Sequence, residues 1–173
     1  MAKHIALIGM MGVGKSTIAP VVAAKLGRQA IEVDALIEKN ERMPISEIFI
    51  AKGEAYFRRA ENKLITELIA GPPSVLSLGG GAFMWEATRE LLLKEAVVVY
   101  LSATLEVLCS RVEAGKSARP LLNMPGITLQ DTMRDLLERR GNYYGMAHYR
   151  IETDYHSPED VAQGILSMRE AYE

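Results

Sequence analysis

The stretch Gly9-Met10-Met11-Gly12-Val13-Gly14-Lys15-Ser16-Thr17 decides how the rest of this chain is read. A short apolar run, residues 4–8, leads into it, and a helical pattern, residues 15–26, follows. Strand, glycine-rich loop and helix in that order are the setting in which Gly-x-x-x-x-Gly-Lys-[Ser/Thr] cradles phosphate. Gly9, Gly12 and Gly14 let successive backbone N–H groups turn inward with no Cβ in the way. The helix that starts at the lysine adds its positive end. Lys15 then reaches the terminal phosphates of a nucleotide, and the Ser16 hydroxyl offers a ligand to Mg²⁺. Gly12, Val13, Gly14 and Thr17 complete the wall.

The composition around this loop is that of an ordinary globule. The chain has 173 residues, 49% hydrophobic and 24% charged, which predicts one domain (1–173) with a single well-filled core. A net charge of −2 gives no electrostatic reason to expect nucleic acid or an anionic membrane as a partner. One cysteine, Cys109, makes no internal disulfide and suits a reducing, cytoplasmic setting. No secretory signal is apparent, and no apolar run approaches the roughly 18 residues of a membrane span. His4, His148 and His156 lack metal-ligand spacing, so no zinc site is expected.

Apolar runs and helical patterns alternate. Strands are predicted at residues 5–8, 30–33, 75–78, 96–101 and 149–153. Helices are predicted at 15–26, 35–40, 45–51, 54–69, 85–94, 105–114, 129–140 and 158–172. Continuous apolar strands joined by helical crossovers indicate a parallel sheet covered on both faces. His156-Ser157-Pro158 reads as a helix cap with proline in the first turn. Residues 115–126, with two glycines and two prolines, show no periodicity, which in a compact domain points to a disordered segment or a functional lid.

The loop alone defines only a nucleotide handler. No guanine-reading Asn-Lys-x-Asp segment is apparent, and the chain is too short for a motor ATPase. Four further segments carry chemistry. Glu32-Val33-Asp34 ends the second predicted strand, where ligand groups of open α/β sheets gather. Gly53–Glu61 places Arg58 and Glu61 three apart on one helical face. Gly79, Gly80 and Gly81 follow a buried strand directly, an entropic cost that makes sense where backbone approaches another molecule. Arg111 and Arg119 flank or enter the aperiodic segment, and Arg139-Arg140 ends a late helix.

With those residues in view the chain resembles the shikimate kinase family along nearly its whole length. The resemblance implies a P-loop α/β/α fold with a five-stranded parallel sheet in the order 2-3-1-4-5. It also implies acceptor-binding helices at about residues 34–61 and a lid at about 112–126. It implies ATP as co-substrate, Mg²⁺ as metal and shikimate as acceptor, phosphorylated on its 3-hydroxyl in aromatic amino-acid precursor synthesis. Asp34 would orient that hydroxyl, and Arg58 and Arg139 would grip the carboxylate, with Arg140 as alternative to Arg139 because a Gly-Asn-Tyr segment replaces the family's Pro-Leu-Tyr. Glu61 would orient Arg58, Gly79–Gly81 would abut the ring, and Arg119 would close on the transferred phosphoryl group. Arg111 would stack on adenine, although Arg119 follows it by eight positions, one more than in the family. Glu32 stands where the family has aspartate and would hold a metal-bound water with Ser16. Trp85, four residues beyond Gly81, is expected near the acceptor pocket.

Gluconate- or nucleoside-monophosphate-type kinases share the loop and lid and remain the alternative activity. A non-catalytic, nucleotide-binding descendant would be expected to have lost Lys15, Asp34 or Arg119, and all three are present. A monomer acting on small molecules is expected.

Overall fold

The structure, a computed structural model, describes residues 3–115 and 126–168. Arg119 lies outside the described residues, as does most of the expected lid.

Five parallel strands form one sheet: β1 (His4–Ile8), β2 (Ala30–Glu32), β3 (Val75–Ser77), β4 (Ala96–Ser102) and β5 (Tyr149–Glu152), in the order β2-β3-β1-β4-β5. Every residue of β1 and β3 is buried, and β4 nearly so, whereas β2 and β5 are partly exposed edges. Burying an aliphatic side chain contributes about 1.5–3 kcal/mol, so the central three strands are the rigid part of the sheet. The order reverses at β1, whose neighbours are β3 and β4. Register sets Leu7 opposite both Ser77 and Val99, which brings the chain leaving β1 and the chain leaving β3 side by side. That is the crevice in which open α/β sheets bind ligands.

Eight helices among the described residues cover both faces: α1 (Lys15–Leu26), α2 (Val33–Glu41), α3 (Ile45–Lys52), α4 (Glu54–Ile69), α5 (Glu86–Glu95), α6 (Leu105–Ala114), α7 (Leu129–Tyr144) and α8 (Pro158–Leu166). Helix α8 starts as the sequence predicts. Ser157 accepts from the Asp160 N–H, Asp160 returns the bond to the Ser157 N–H, and Pro158 opens the first turn. Pro20 sits inside α1 on its exposed side without ending the helix.

Several boundaries shift from the sequence reading, and two of the shifts bear on the site. Strand β2 stops at Glu32, so Asp34 lies in the first turn of α2 rather than at a strand end, where its charge complements the helix dipole. Helix α7 runs four residues past the expected end at Arg140. A helical glycine at 141 costs about 1 kcal/mol. Carrying Tyr144 into the core, where it is 1% exposed, offsets that by about 1.5–3 kcal/mol.

Candidate active site

The phosphate loop has the backbone its glycines imply. Gly9, Gly12 and Gly14 have φ of 141°, 81° and 105°, conformations L side chains rarely adopt. Gly12 also packs so that a Cβ would lie 2.9 Å from Val112 Cγ2. Lys15 is buried and its Nζ donates to the carbonyls of Gly9 (2.8 Å) and Met10 (3.1 Å). Ser16 Oγ donates to Glu32 Oε2 at 2.9 Å, while Glu32 Oε1 is buried without a partner.

Two cavities meet at this loop. The first, about 460 Å³, has residues 11–18 as one wall and Arg111, Thr153, His156 and Pro158 among those opposite. Arg111 is fixed in its plane by three bonds: Nη1 donates to the Val13 carbonyl (3.3 Å) and to Thr153 Oγ1 (2.9 Å), and Nη2 to the Thr153 carbonyl (2.8 Å). Thr153 and His156 are part of this wall, and sequence reasoning gave them no such place. Their signal was available: they follow the last strand at its carboxyl end, as the phosphate loop follows β1 and Gly79–Gly81 follow β3.

The second cavity, about 370 Å³, shares Met11, Lys15 and Ser16 with the first and extends between α2, α4, the Gly79–Gly81 turn and α7. Asp34, Arg58, Arg140, Glu32 and the three glycines line it, and Phe49 and Phe57, their rings 4.9 Å apart, supply an apolar wall. Because the two cavities join at Lys15 and Ser16, a phosphoryl group held there faces both occupants.

The three glycines each abut a different charged side chain. A Cβ on Gly79 would lie 2.7 Å from Asp34 Oδ1, and one on Gly80 2.7 Å from Arg140 Nη1. A Cβ on Gly81 would run into the Arg58 guanidinium. None of the three has positive φ. Close approach rather than backbone conformation is what requires glycine here.

Charge in this pocket is concentrated and partly unpaired. Arg58 Nη1 donates to Glu61 Oε2 at 2.7 Å, and Glu61 is fully buried, its Oε1 without a partner. Burial pushes the Glu61 carboxyl up to about 7 against the opposing pull of Arg58. Burial likewise raises Asp34, only partly offset by Lys15 and Arg58, and its Oδ1 is also buried without a partner. Arg140 presents a buried Nη1 with no partner. Native structures leave few such atoms unsatisfied; Asp34 and Arg140 line the cavity, where an occupant can complete their bonding, whereas Glu61 lies behind Arg58 and outside the lining.

The second arginine of the pocket is thus Arg140, which corrects the preference for Arg139. Arg139 points outward, its side chain 75% exposed, with Nε donating to Asp135 at 3.0 Å. The unbroken helix through residue 144 sets this: positions 140 and 144 share the inward face, and 139 does not. Trp85 is also not where the sequence reading put it. It precedes α5, is 38% exposed and forms no part of the pocket wall. Phe49, Phe57 and Glu38 are pocket residues that the sequence did not single out.

A phosphate-cradling loop on a parallel sheet, joined to a second pocket with two guanidinium groups and three carboxylates, defines a P-loop phosphotransferase acting on a small acceptor. Comparison with known proteins is specific within that class. The family model described as shikimate kinase matches residues 11–170. The chain is 42% identical to the shikimate kinase of Oceanobacillus iheyensis, over 94% of this chain and 87% of that one. It is 40% identical to that of Zymomonas mobilis, over 95% and 92%. A solved structure, shikimate kinase from Acinetobacter baumannii in complex with shikimate, superposes with a TM-score of 0.90 at 36% identity, covering 99% of this chain and 94% of that one. The chain belongs to the shikimate kinase family.

Proposed function

We propose that this chain transfers the γ-phosphoryl group of ATP to the 3-hydroxyl of shikimate, giving shikimate 3-phosphate and ADP. The observation that carries the reading is the convergence of Arg58 and Arg140, 82 positions apart in sequence, on one pocket that opens onto Lys15. A planar carboxylate matches such forks in a way that a neutral sugar does not. The cyclic body would lie between the Gly79–Gly81 turn and the Phe49–Phe57 wall.

In this reading the triphosphate lies along the phosphate loop, with adenine against Arg111 and Pro158. Lys15 exchanges its bonds to the Gly9 and Met10 carbonyls for bonds to the β/γ-phosphates. The acceptor oxygen attacks the γ-phosphorus, the bond to the β–γ bridging oxygen breaks, and the hydroxyl proton passes toward Asp34. The raised proton affinity of Asp34 suits that role. Most of the rate then comes from positioning and charge neutralisation. Arg119, outside the described residues, is assigned to the phosphoryl group in flight, and its loss would cost about 10³-fold in kcat.

Ser16 and Glu32 suit Mg²⁺: a hydroxyl and a carboxylate lie within 2.9 Å, and Glu32 Oε1 is buried without a partner. Among the described residues no cluster of three His, Cys, Asp or Glu side chains offers a cage, so the ion would take its remaining ligands from phosphate and water. When bound it would neutralise phosphate charge.

We further assign the chain as one kinase domain, monomeric and cytoplasmic, with no nucleic-acid or membrane partner. Among the described residues no helix is long and apolar enough to cross a membrane. A coupled assay of ADP release with shikimate, gluconate and nucleoside monophosphates tests the activity. Turnover with shikimate is expected; turnover with either of the other acceptors alone overturns the assignment.

A further inference from the structure

We propose that Tyr144 is a positioning residue of the acceptor pocket, fixing the Gly80–Gly81 peptide and joining the glycine turn to the phosphate loop. The inference rests on the acceptor-site reading above. Tyr144 lies one turn beyond Arg140 on the inward face of α7. Its hydroxyl donates to the Gly80 carbonyl at 2.6 Å and also contacts Met10 Sδ, in the phosphate loop, at 4.0 Å. One buried phenol therefore touches both loops that bound the junction of the two cavities.

The peptide geometry gives this contact a consequence. In a trans peptide the carbonyl and the following N–H point in opposite directions. Drawing the Gly80 carbonyl toward α7 turns the Gly81 N–H away from it, and that N–H makes no backbone hydrogen bond among the described residues. Tyr144 thus holds a backbone donor available on the other side of the turn. The same contact sets how far Gly80 stands from Arg140, where there is no room even for a Cβ. Tyr144 is itself aimed by Tyr100 of β4, whose ring stacks on it at 4.9 Å and 27°. Burial pushes the phenol up to about 12, so it remains a donor through the neutral range.

The test is Tyr144→Phe, which keeps the ring and removes only the hydroxyl, measured beside the wild type and Arg58→Lys. The shikimate KM is expected to rise about tenfold, with the ATP KM within about twofold. A merely structural tyrosine would lower Tm and leave both KM values in place, and a shikimate KM within about twofold of wild type in the folded variant overturns the proposal. Should Tyr144→Phe not fold, Tyr100→Leu leaves the hydroxyl but removes the stack that aims it. It is expected to raise the shikimate KM about threefold or more, and an unchanged value again overturns the proposal. If Arg58→Lys leaves the shikimate KM unchanged, the acceptor-site reading itself fails. If Arg58→Lys raises it and the tyrosine variants do not, only the present inference fails.

Discussion

Glu61 accepts from Arg58 at 2.7 Å with one carboxylate oxygen while the other, sealed from solvent, has no partner. A salt bridge so buried is weak evidence for stability, because desolvation consumes much of the Coulombic gain. Its use is to hold the guanidinium in one plane against Gly81. Burial pushes the Glu61 carboxyl up to about 7, so acidification neutralises it and leaves Arg58 only the exposed Glu54 carboxylate, 3.6 Å from its Nε, as a charged partner. The shikimate KM is therefore expected to rise as pH falls from 8 to 6, and Glu61→Gln to show a KM about tenfold higher at pH 8 with that pH dependence flattened. Linkage fixes the accompanying sign. The folded pKa is raised, so the contribution to stability is complete below the unfolded value near 4.5 and is lost as pH rises through about 7. The Tm of wild type minus that of Glu61→Gln should fall between pH 5 and pH 8.

The three contiguous glycines predict a graded series. Alanine is compatible with the backbone at Gly79, Gly80 and Gly81, since none has positive φ. Any loss then reports the contact made by the new methyl. At Gly79 that contact is the short side chain of Asp34, 2.7 Å away, which has little room to retreat. At Gly80 it is the far end of a long arginine, which can bend aside. Gly79→Ala is expected to lower kcat/KM for shikimate by about 10²-fold, the cost of an ångström-scale misplacement. Gly80→Ala should be milder. Steady-state kinetics on both variants would show the order, and equal losses would mean that the turn, not its contacts, is what matters.

Much of this was legible in the sequence for reasons that are local. The phosphate loop declares itself because positive φ and close packing leave no substitute for glycine, and β1 and β4 because strands buried on both faces read as unbroken apolar runs. Asp34, Arg58 and Gly79–Gly81 were found by position at strand ends and by helical spacing. What escaped depends on tertiary packing. Choosing Arg140 over Arg139 requires knowing that α7 continues through Gly141, a result of burying Tyr144 that no local propensity expresses. Thr153 joins the wall of the first cavity through Arg111, 42 residues away, and Phe49 and Phe57 become a pocket wall only once α3 packs on α4.

His4 opens β1 and is buried, with Nδ1 accepting from the Ser74 N–H at 3.2 Å. Burial lowers its pKa below the usual value of 6.5. A depressed folded pKa means that the unfolded chain binds the extra proton first, so the stability it contributes is complete above 6.5 and is lost as pH falls through the lower, folded value. Thermal unfolding followed between pH 7.5 and pH 5 should show Tm declining on the acid side. His4→Gln, lacking the titrating ring, should show less of that decline over the same interval, although it starts lower for want of the imidazole packing. An identical acid slope in both proteins would assign the loss to other groups.

Neighbouring arginines on α7 give the sharpest separation. Arg140 faces the pocket with a buried, unpartnered Nη1, whereas Arg139 pairs with Asp135 at the surface. Removing one partner of a buried, charge-assisted contact costs about 2–5 kcal/mol, while exposed pairs contribute little. Arg140→Ala is accordingly expected to raise the shikimate KM by at least roughly thirtyfold with little effect on the ATP KM. Arg139→Ala should leave both within about twofold of wild type. The reverse pattern would place the register of α7 one residue earlier and return the carboxylate to Arg139. Lysine at 140 adds a finer discrimination: it keeps the charge but not the planar fork, so a substantial loss in Arg140→Lys would show that geometry, beyond charge, selects the acceptor.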